Sequence, residues 1–170
     1  MSHYGETPDR LPNVCKVFPS RDRKGANALE FMPSDLIQGH VVVAGEAAGE
    51  LLFSSEPLSF WGGYDHQTGE IIDRRHPLSG QIAAGRVLAL PNTIGSSTTT
   101  AVLLEAVRAG TAPAAILTIG VDSFLALASI VSEEMYGRAI PMVALPEAEF
   151  SKLSTGTHVR VGAGGRVFWD

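Results

Sequence analysis

The amino-acid sequence predicts a mixed α/β domain in which helices are layered on a sheet. Short runs rich in β-branched and aliphatic residues, separated by glycines, dominate residues 35–170. Between residues 86 and 145, strand and helix patterns alternate, and this order is typical of a sheet with helices packed against it. With 170 residues, 45% hydrophobic and 18% charged, the chain is apolar enough to build a full core.

Seven runs carry strand patterns and two segments carry helix patterns. The strands are predicted at 38–44, 50–54, 86–90, 114–119, 140–145, 158–162 and 166–169, and the helices at 98–109 and 123–131. Gly110 stands where a left-handed residue ends a helix, and Asp122 stands where an N-cap begins one. The joint between the strand 86–90 and the helix after it is the place where an open α/β sheet binds ligands.

Residues 1–34 differ from the rest of the chain. They contain four of the ten prolines and show no sustained hydrophobic period of 2 or 3.6 residues. We therefore expect an amino-terminal arm over 1–34 that packs on a partner or stays mobile, followed by the domain over 35–170.

Composition excludes several classes of function. The net charge is −5, and no basic run exceeds the short segment 21–24, so we expect no nucleic-acid partner. A single cysteine, Cys15, cannot form a disulfide, a zinc finger or a cysteine-ligated cluster from this chain alone. The first ten residues lack an apolar signal region, and no apolar run is long enough to span a bilayer. We expect a cytoplasmic protein that binds no membrane and no metal of its own.

The segment 91–100 is the strongest candidate for chemistry. Gly95 lets the backbone approach a ligand, and free amides at the start of the following helix favour an anion. Ser96, Ser97 and Thr98 add hydroxyl groups. No lysine follows as in a phosphate-binding Walker A loop, and the pattern is not Gly-x-Ser-x-Gly. Two interpretations remain open: these groups contact a ligand, or one hydroxyl only caps the helix.

A second candidate is the irregular loop 60–78. It contains carboxylates and imidazoles that could act as acid, base or metal ligand: Asp65, His66, Asp73 and His76. The alternative is a β-hairpin that turns at Thr68-Gly69, with aspartates capping the turn. We favour the hairpin for His66 and Glu70, and we leave Asp65, Asp73 and His76 open.

Seven segments together resemble a known family. They are GEAAGE at 45–50, PLSFWGGYD at 57–65, TGEIID at 68–73, HPLSG at 76–80, GSS at 95–97, LLEA at 103–106 and APAAI at 112–116. Their order and spacing across 36–145 resemble the small subunit, or swivel domain, of the aconitase X family. The amino-terminal arm takes no part in the resemblance.

The resemblance implies a swivelling β/β/α domain of the aconitase superfamily, which closes over the active site of a larger catalytic subunit. It implies a hydro-lyase in which an iron–sulfur cluster on the large subunit takes the leaving hydroxyl. It also implies that Ser96 is the base. We expect Gly95, Ser97, Thr98 and Asp65 to bind substrate. The sequence departs from the family pattern at 98–100, where three threonines stand in place of a further glycine–serine pair.

Members of this family dehydrate cis-3-hydroxy-L-proline in bacteria and mevalonate 5-phosphate in archaea. We expect cis-3-hydroxy-L-proline, giving Δ1-pyrroline-2-carboxylate, with mevalonate 5-phosphate as the alternative. A different class of function also remains open, because fold likeness alone does not prove chemistry. In that case the chain is a free-standing, non-catalytic anion-binding domain, or more weakly a structural interaction protein.

Overall fold

The computed structural model describes residues 36–169, and within this range the chain forms eight strands and three helices. The strands are β1 (Leu36–Gln38), β2 (His40–Val43), β3 (Ala47–Phe53), β4 (Val87–Ala89), β5 (Ala115–Ile119), β6 (Met142–Leu145), β7 (His158–Gly162) and β8 (Arg166–Trp169). The helices are α1 (Ser97–Ala109), α2 (Ser123–Tyr136) and α3 (Glu147–Phe150). The predicted arm over 1–34 lies outside the described residues, as does Cys15.

One mixed sheet contains these eight strands in the order β1-β8-β7-β3-β4-β5-β6-β2. The strands β3, β4, β5 and β6 are parallel to one another, and α1 and α2 connect the last three of them. The strands β7, β8, β1 and β2 all pair antiparallel with their neighbours. The parallel half places the loops before α1 and α2 at one edge, where the strands end.

The two outer strands of this order, β1 and β2, are separated in sequence by Gly39 alone. The sheet therefore curls until its edges meet, and it forms a barrel-like layer. The Gly39 amide donates a hydrogen bond to the Gly165 carbonyl (2.9 Å) at this corner. A β-carbon on Gly39 would lie 2.3 Å from Val143 Cγ1, so only glycine fits without repacking.

This corner corrects the prediction of one strand over 38–44. The run is broken at Gly39, and its two parts pair with different neighbours, β8 and β6. The local pattern looks continuous because both parts are rich in β-formers, whereas the break depends on atoms more than 100 residues away along the chain.

The core consists of two apolar clusters, one on each face of the sheet. Neighbouring residues of β3 show the division, since Leu51 belongs to one cluster and Leu52 to the other. The Leu52 cluster includes α1, α2 and the loop 58–83. The Leu51 cluster joins the parallel strands to β1, β7 and β8. This alternation is the expected result of side chains pointing to opposite faces of a strand.

The helices agree with the sequence predictions at their starts more closely than at their ends. α1 begins one residue before the predicted start and ends at Gly110 (φ +77°), as predicted. α2 begins at Asp122, which is its N-cap as predicted, but it continues to Tyr136 rather than ending at residue 131. The single-turn helix α3 was not predicted; four residues give too little periodicity to read.

Candidate functional site

The candidate site begins in the loop 91–96, between the end of β4 and the start of α1. The Ile119 amide donates to the Pro91 carbonyl (3.0 Å), which holds the loop to the end of β5. The Ile94 amide donates to the Leu58 carbonyl (3.0 Å), which ties it to the segment after β3. The loop is thus held at the carboxyl ends of three parallel strands, the edge at which α/β sheets bind ligands.

Asp122 joins this loop to the start of α2. Its Oδ2 accepts hydrogen bonds from the Thr93 amide (2.8 Å) and the Thr93 hydroxyl (2.6 Å). Its Oδ1 accepts from the amides of Phe124 and Leu125 (3.1 and 3.2 Å). The sequence predicted only the N-cap. The bonds to Thr93 span 29 residues, and no local pattern in the sequence indicates them.

Ser96 occupies the N-cap position of α1, but its side chain makes no capping hydrogen bond. The residue is extended (φ −140°, ψ −152°) and exposed. Most N-cap serines accept a hydrogen bond from an amide of the first turn. The helix-cap interpretation therefore does not hold for Ser96, and its hydroxyl group remains available.

The first backbone amides of α1 are also available, because the Ser96 side chain accepts no hydrogen bond from them. By helix geometry, the N–H groups of Ser97 and Thr98 have no acceptor within the helix. The Thr99 amide donates to the Ser96 carbonyl (2.9 Å). No acidic side chain lies in the first turn of α1, so nothing there offsets the positive end of the helix dipole. This helix start is suited to an anion.

Gly95 and Thr99 lie close to each other at the start of α1, beside Ser96. Gly95 has φ +141°, in the range that side chains disfavour, and a β-carbon there would lie 3.1 Å from Thr99 Oγ1. Thr99 is 0% exposed, and its hydroxyl has no hydrogen-bond partner. Burying a hydroxyl without a hydrogen-bond partner lowers the free energy of unfolding. Thr99 Oγ1 is therefore a destabilising group at the start of α1.

A shallow groove of about 220 Å³ lies between the starts of α1 and α2. It is lined by Asn92, Thr93, Gly95, Ile119, Val121, Asp122, Ser123 and Phe124. Both helices direct their amino-terminal ends to this region. The groove combines polar groups with three apolar side chains, those of Ile119, Val121 and Phe124. The structure thus brings Gly95, Ser96, Ser97 and Thr98 together, as their adjacency in sequence requires.

Asp65, the remaining residue predicted to bind substrate, lies elsewhere. Its neighbour His66 accepts a hydrogen bond from the hydroxyl of Thr111 (2.6 Å), which follows the carboxyl end of α1. α1 has 13 residues and is about 20 Å long, and Ser96 stands at its opposite end. The structure therefore places Asp65 near the opposite end of α1 from the other four residues. The predicted role of Asp65 in binding substrate stays a prediction.

The carboxylate of Asp65 stabilises its own turn. It accepts hydrogen bonds from the Gln67 amide (2.8 Å) and the Thr68 hydroxyl (2.9 Å). The Gln67 amide, and after it the Thr68 hydroxyl, lowers the pKa of the Asp65 carboxyl below its usual value. Gly69 turns the chain at φ +78°, and Tyr64 and Ile71 form an isolated antiparallel bridge across the turn. The predicted turn at Thr68-Gly69, capped by an aspartate, is therefore confirmed, although no strands pair on either side of it.

The two other residues left open in the loop also have local roles. His76 is buried; its Nδ1 accepts from the Leu78 amide (3.2 Å), and its Nε2 lies 3.2 Å from the Glu56 carbonyl. Because Nδ1 accepts, the neutral ring carries its proton on Nε2 and donates it to Glu56. Asp73 accepts from the Arg75 amide (3.0 Å). Both side chains hold the loop together.

Among residues 36–169, no three His, Cys, Asp or Glu side chains are grouped closely enough to hold a metal ion. None of the helices in the same range has both the length and the apolar character needed to cross a membrane.

The barrel-like mixed sheet, its parallel half and the open start of α1 define an α/β domain with a candidate anion site. The family model for the aconitase X swivel domain matches residues 36–168. The chain belongs to the aconitase X swivel domain family, and the resemblance found in the sequence motifs is confirmed.

Individual relatives agree with this assignment. The chain is 48% identical to a cis-3-hydroxy-L-proline dehydratase of Pseudomonas aeruginosa over 76% of this chain and 22% of that protein. It is 38% identical to a phosphomevalonate dehydratase small subunit of Thermococcus gammatolerans, over 75% of this chain and 91% of that one. The crystal structure of Thermococcus kodakaraensis aconitase X (holo-form) matches with a TM-score of 0.71 and 35% identity, over 79% of this chain and 98% of that chain. The chain spans about a fifth of the length of the cis-3-hydroxy-L-proline dehydratases that it matches.

Proposed function

We propose that this chain is the small subunit of a two-chain hydro-lyase and that Ser96 is the general base of the reaction. One observation carries the proposal: the Ser96 hydroxyl is exposed and makes no cap, at a helix start whose amides are free. The relatives named as dehydratases supply the reaction class.

The proposed reaction removes water from a β-hydroxy carboxylic acid. Ser96 Oγ takes the proton α to the substrate carboxylate, the electron pair of that C–H bond forms the double bond, and the β-hydroxyl leaves. The amides of Ser97 and Thr98 bind the substrate carboxylate or stabilise the serine alkoxide. Gly95 keeps the backbone open to the substrate at this point.

This chain does not activate Ser96 by itself. A serine hydroxyl titrates far above neutral pH, and lowering its pKa by about five units requires 7 kcal/mol or so at 1.36 kcal/mol per unit. A helix amino terminus supplies only ~0.3–2 kcal/mol. The remainder has to come from a cation or a proton relay on another protein surface, and a large catalytic subunit is the natural source.

The family also implies an iron–sulfur cluster. The residues that the structure describes contain no cysteine and no group of metal-binding side chains, so they do not fit a cluster. We therefore assign the cluster to the large subunit. When bound there, it would accept the leaving hydroxyl as a Lewis acid.

We propose cis-3-hydroxy-L-proline as the substrate, with Δ1-pyrroline-2-carboxylate as the product, because the relative at 48% identity carries that name. Mevalonate 5-phosphate is the second candidate. Its support is that a phosphomevalonate dehydratase small subunit aligns over 91% of its length, and that free helix amides also bind phosphate.

The test is a dehydratase assay of the full chain reconstituted with its large subunit. Both substrates are assayed under the reducing conditions expected for a cytoplasmic protein. We expect Ser96→Ala to lower turnover about 10²–10⁴-fold, with unchanged assembly and thermal midpoint. Ser151→Ala is the matched control, because Ser151 is exposed, donates only within its own turn and lies outside the groove. Full activity of Ser96→Ala would refute the assignment of the base.

The same assay separates the alternatives. Activity on mevalonate 5-phosphate alone would retain the mechanism and change the substrate. A chain that binds either acid tightly by itself, and gains no turnover from a large subunit, would identify a free-standing anion-binding domain instead.

A further inference from the structure

The helix α2 is apolar on two opposite sides. One side faces the core through Leu125, Ala126, Ala128, Ser129 and Ser132. The other side is open to solvent, and it carries Phe124 (36% exposed), Leu127 (49%), Ile130 (51%) and Met135 (62%), preceded by Val121 (62%). We call these five exposed residues the α2 stripe. Phe124, Leu127 and Ile130 recur at intervals of three residues and so lie along one side of the helix. Val121 precedes the helix, and Met135, five residues after Ile130, lies further around it.

The solvent side of α2 is unusual for a helix in water. No charged residue occurs from Ser123 to Ser132, and the only charged residues of α2, Glu133 and Glu134, stand in its last turn. α1 shows the ordinary pattern, because its exposed Arg108 and Glu105 form an ion pair (2.6 Å). A helix that is apolar on all sides is normally buried, and a contiguous exposed apolar patch marks an interaction site.

The α2 stripe continues into the candidate site. Its first two residues, Val121 and Phe124, line the groove together with Gly95 and Thr93. The main-chain carbonyl of Phe124 also accepts a hydrogen bond from the Thr100 hydroxyl of α1 (2.9 Å). A body that covers Ser96 from the side of this groove would therefore rest on the amino-terminal end of the α2 stripe.

The relatives indicate what that body is. In the cis-3-hydroxy-L-proline dehydratases, the matched region is about a fifth of the protein, so a much larger polypeptide accompanies it. Other relatives are named small subunits and are matched over most of their length. The accompanying body is thus a large polypeptide, and an exposed apolar face such as the α2 stripe is the kind of surface that a protein partner covers.

We infer that the α2 stripe is the surface on which the large catalytic subunit docks. This inference rests on the proposed function, and it specifies which face of the chain is buried in the assembly. Apolar anchors near the middle of an interface carry most of its binding energy. Leu127 and Ile130 occupy the middle of the α2 stripe, and neither of them lines the groove.

The test measures the affinity of the full chain for the large subunit by titration calorimetry or interferometry. Ile130→Glu buries an unpaired charge in the interface, and we expect it to weaken binding by about 100-fold. Ile72→Glu is the matched control, because Ile72 is 43% exposed, undergoes the same change and lies in the loop 57–85. We expect the control to bind within about threefold of the unchanged chain.

A second variant, Leu127→Glu, keeps the test informative if Ile130→Glu does not fold. Both positions are exposed, so we expect unchanged thermal midpoints and far-ultraviolet spectra. At saturating large subunit, both variants should recover full turnover, since they act on assembly and not on chemistry.

Three outcomes would overturn the inference. Both variants could bind as the unchanged chain does, both could bind no worse than Ile72→Glu, or the chain alone could be a dimer that Ile130→Glu converts to a monomer. The last result would identify a second copy as the occupant. These results are independent of Ser96: an active Ser96→Ala complex refutes the base, whereas an unaffected Ile130→Glu complex refutes only the docking surface.

Discussion

The starts of α1 and α2 share the same architecture but differ in how their amides are satisfied. Each helix follows a parallel strand, and each begins at the same edge of the sheet. At α2, Asp122 accepts hydrogen bonds from two amides of the first turn. At α1, Ser96 stands at the equivalent position and accepts none. The start of α2 is capped by a side chain, whereas the start of α1 is not.

The polar side chains at the two helix starts also differ in whether they have hydrogen-bond partners. Asp122 also accepts two hydrogen bonds from Thr93, so both of its carboxylate oxygens have donors. Thr99 of α1 is buried without a partner for its hydroxyl. Unpaired buried groups and unfilled caps are rare where only stability is selected, and they concentrate at functional sites.

Giving α1 a side-chain cap like that of α2 should have the largest effect on turnover. We expect Ser96→Asp to cap α1, raising the free energy of unfolding by about 1 kcal/mol, while turnover of the complex falls about 10²–10⁴-fold. Chemical denaturation and the dehydratase assay check the two halves. Ser96→Ala is the control, since it should lose turnover without gaining stability. A variant that gains stability and retains turnover would show that the open cap is not needed.

The reverse experiment removes the side-chain cap of α2, so that α2 begins uncapped as α1 does. Asp122→Ala removes the cap and the two bonds to Thr93, and we expect a loss of about 2 kcal/mol in the free energy of unfolding. Urea titration measures the loss. Asp122→Asn keeps one acceptor oxygen and should recover part of it. Wild-type stability in Asp122→Ala would mean that these four short contacts contribute nothing.

Gly95→Ala tests the backbone beneath Ser96. The left-handed φ and the approach of Thr99 Oγ1 (3.1 Å) both oppose a β-carbon, so we expect a loss of about 1–2 kcal/mol. Gly62→Ala is the matched control, because Gly62 also has a positive φ but no atom within 4 Å of its β-carbon position. Thermal unfolding of both variants separates strain from contact; equal losses would assign the whole effect to strain.

Thr99→Val tests the unpaired hydroxyl directly. Replacing a buried hydroxyl that has no partner by a methyl group should raise the free energy of unfolding by about 1 kcal/mol. Thr100→Val should instead lower it by a similar ~1 kcal/mol, because Thr100 donates to Phe124. A loss of stability in Thr99→Val, measured by urea titration, would show that its hydroxyl is paired after all.

The smallest effect is expected from Asp65, a carboxylate that accepts an amide hydrogen bond in a turn rather than at a helix. Its pKa is lowered in the folded chain, so its contribution is present above the unfolded pKa, about 3.9, and is lost as the pH falls through the folded pKa. Thermal midpoints of the unchanged chain and of Asp65→Asn should therefore converge below pH 4. Parallel curves from pH 7 to pH 3 would contradict the lowered pKa.

Local chemistry explains which predictions succeeded. Helix starts and ends depend on neighbouring residues, so Gly110 and Asp122 were assigned correctly from sequence. The hairpin turn at Gly69 was equally readable, because Asp65 and Thr68 cap it from within four residues. The break at Gly39 was missed, because it depends on Val143 and Gly165 across the barrel.

The candidate site divides in the same way. Four of its predicted residues are consecutive, so the sequence alone places them together at a helix start. Asp65 was added to them as a carboxylate of the loop 60–78, and only the fold shows that the length of α1 separates it from Ser96. The bonds from Asp122 to Thr93, and the apolar outer side of α2, likewise emerge only when distant segments are packed.

By itself, the sequence determined the class of fold, the family, and the glycine–serine turn that begins a helix, because these depend on periodicity and on adjacent residues. Only the tertiary structure decided that the Ser96 hydroxyl is not used as a cap, that Thr99 is buried unpaired, and that the α2 stripe borders the groove. The physical reason is that hydrogen-bond partners and burial are set by which segments meet in space, and contacts between distant segments leave no period in the chain.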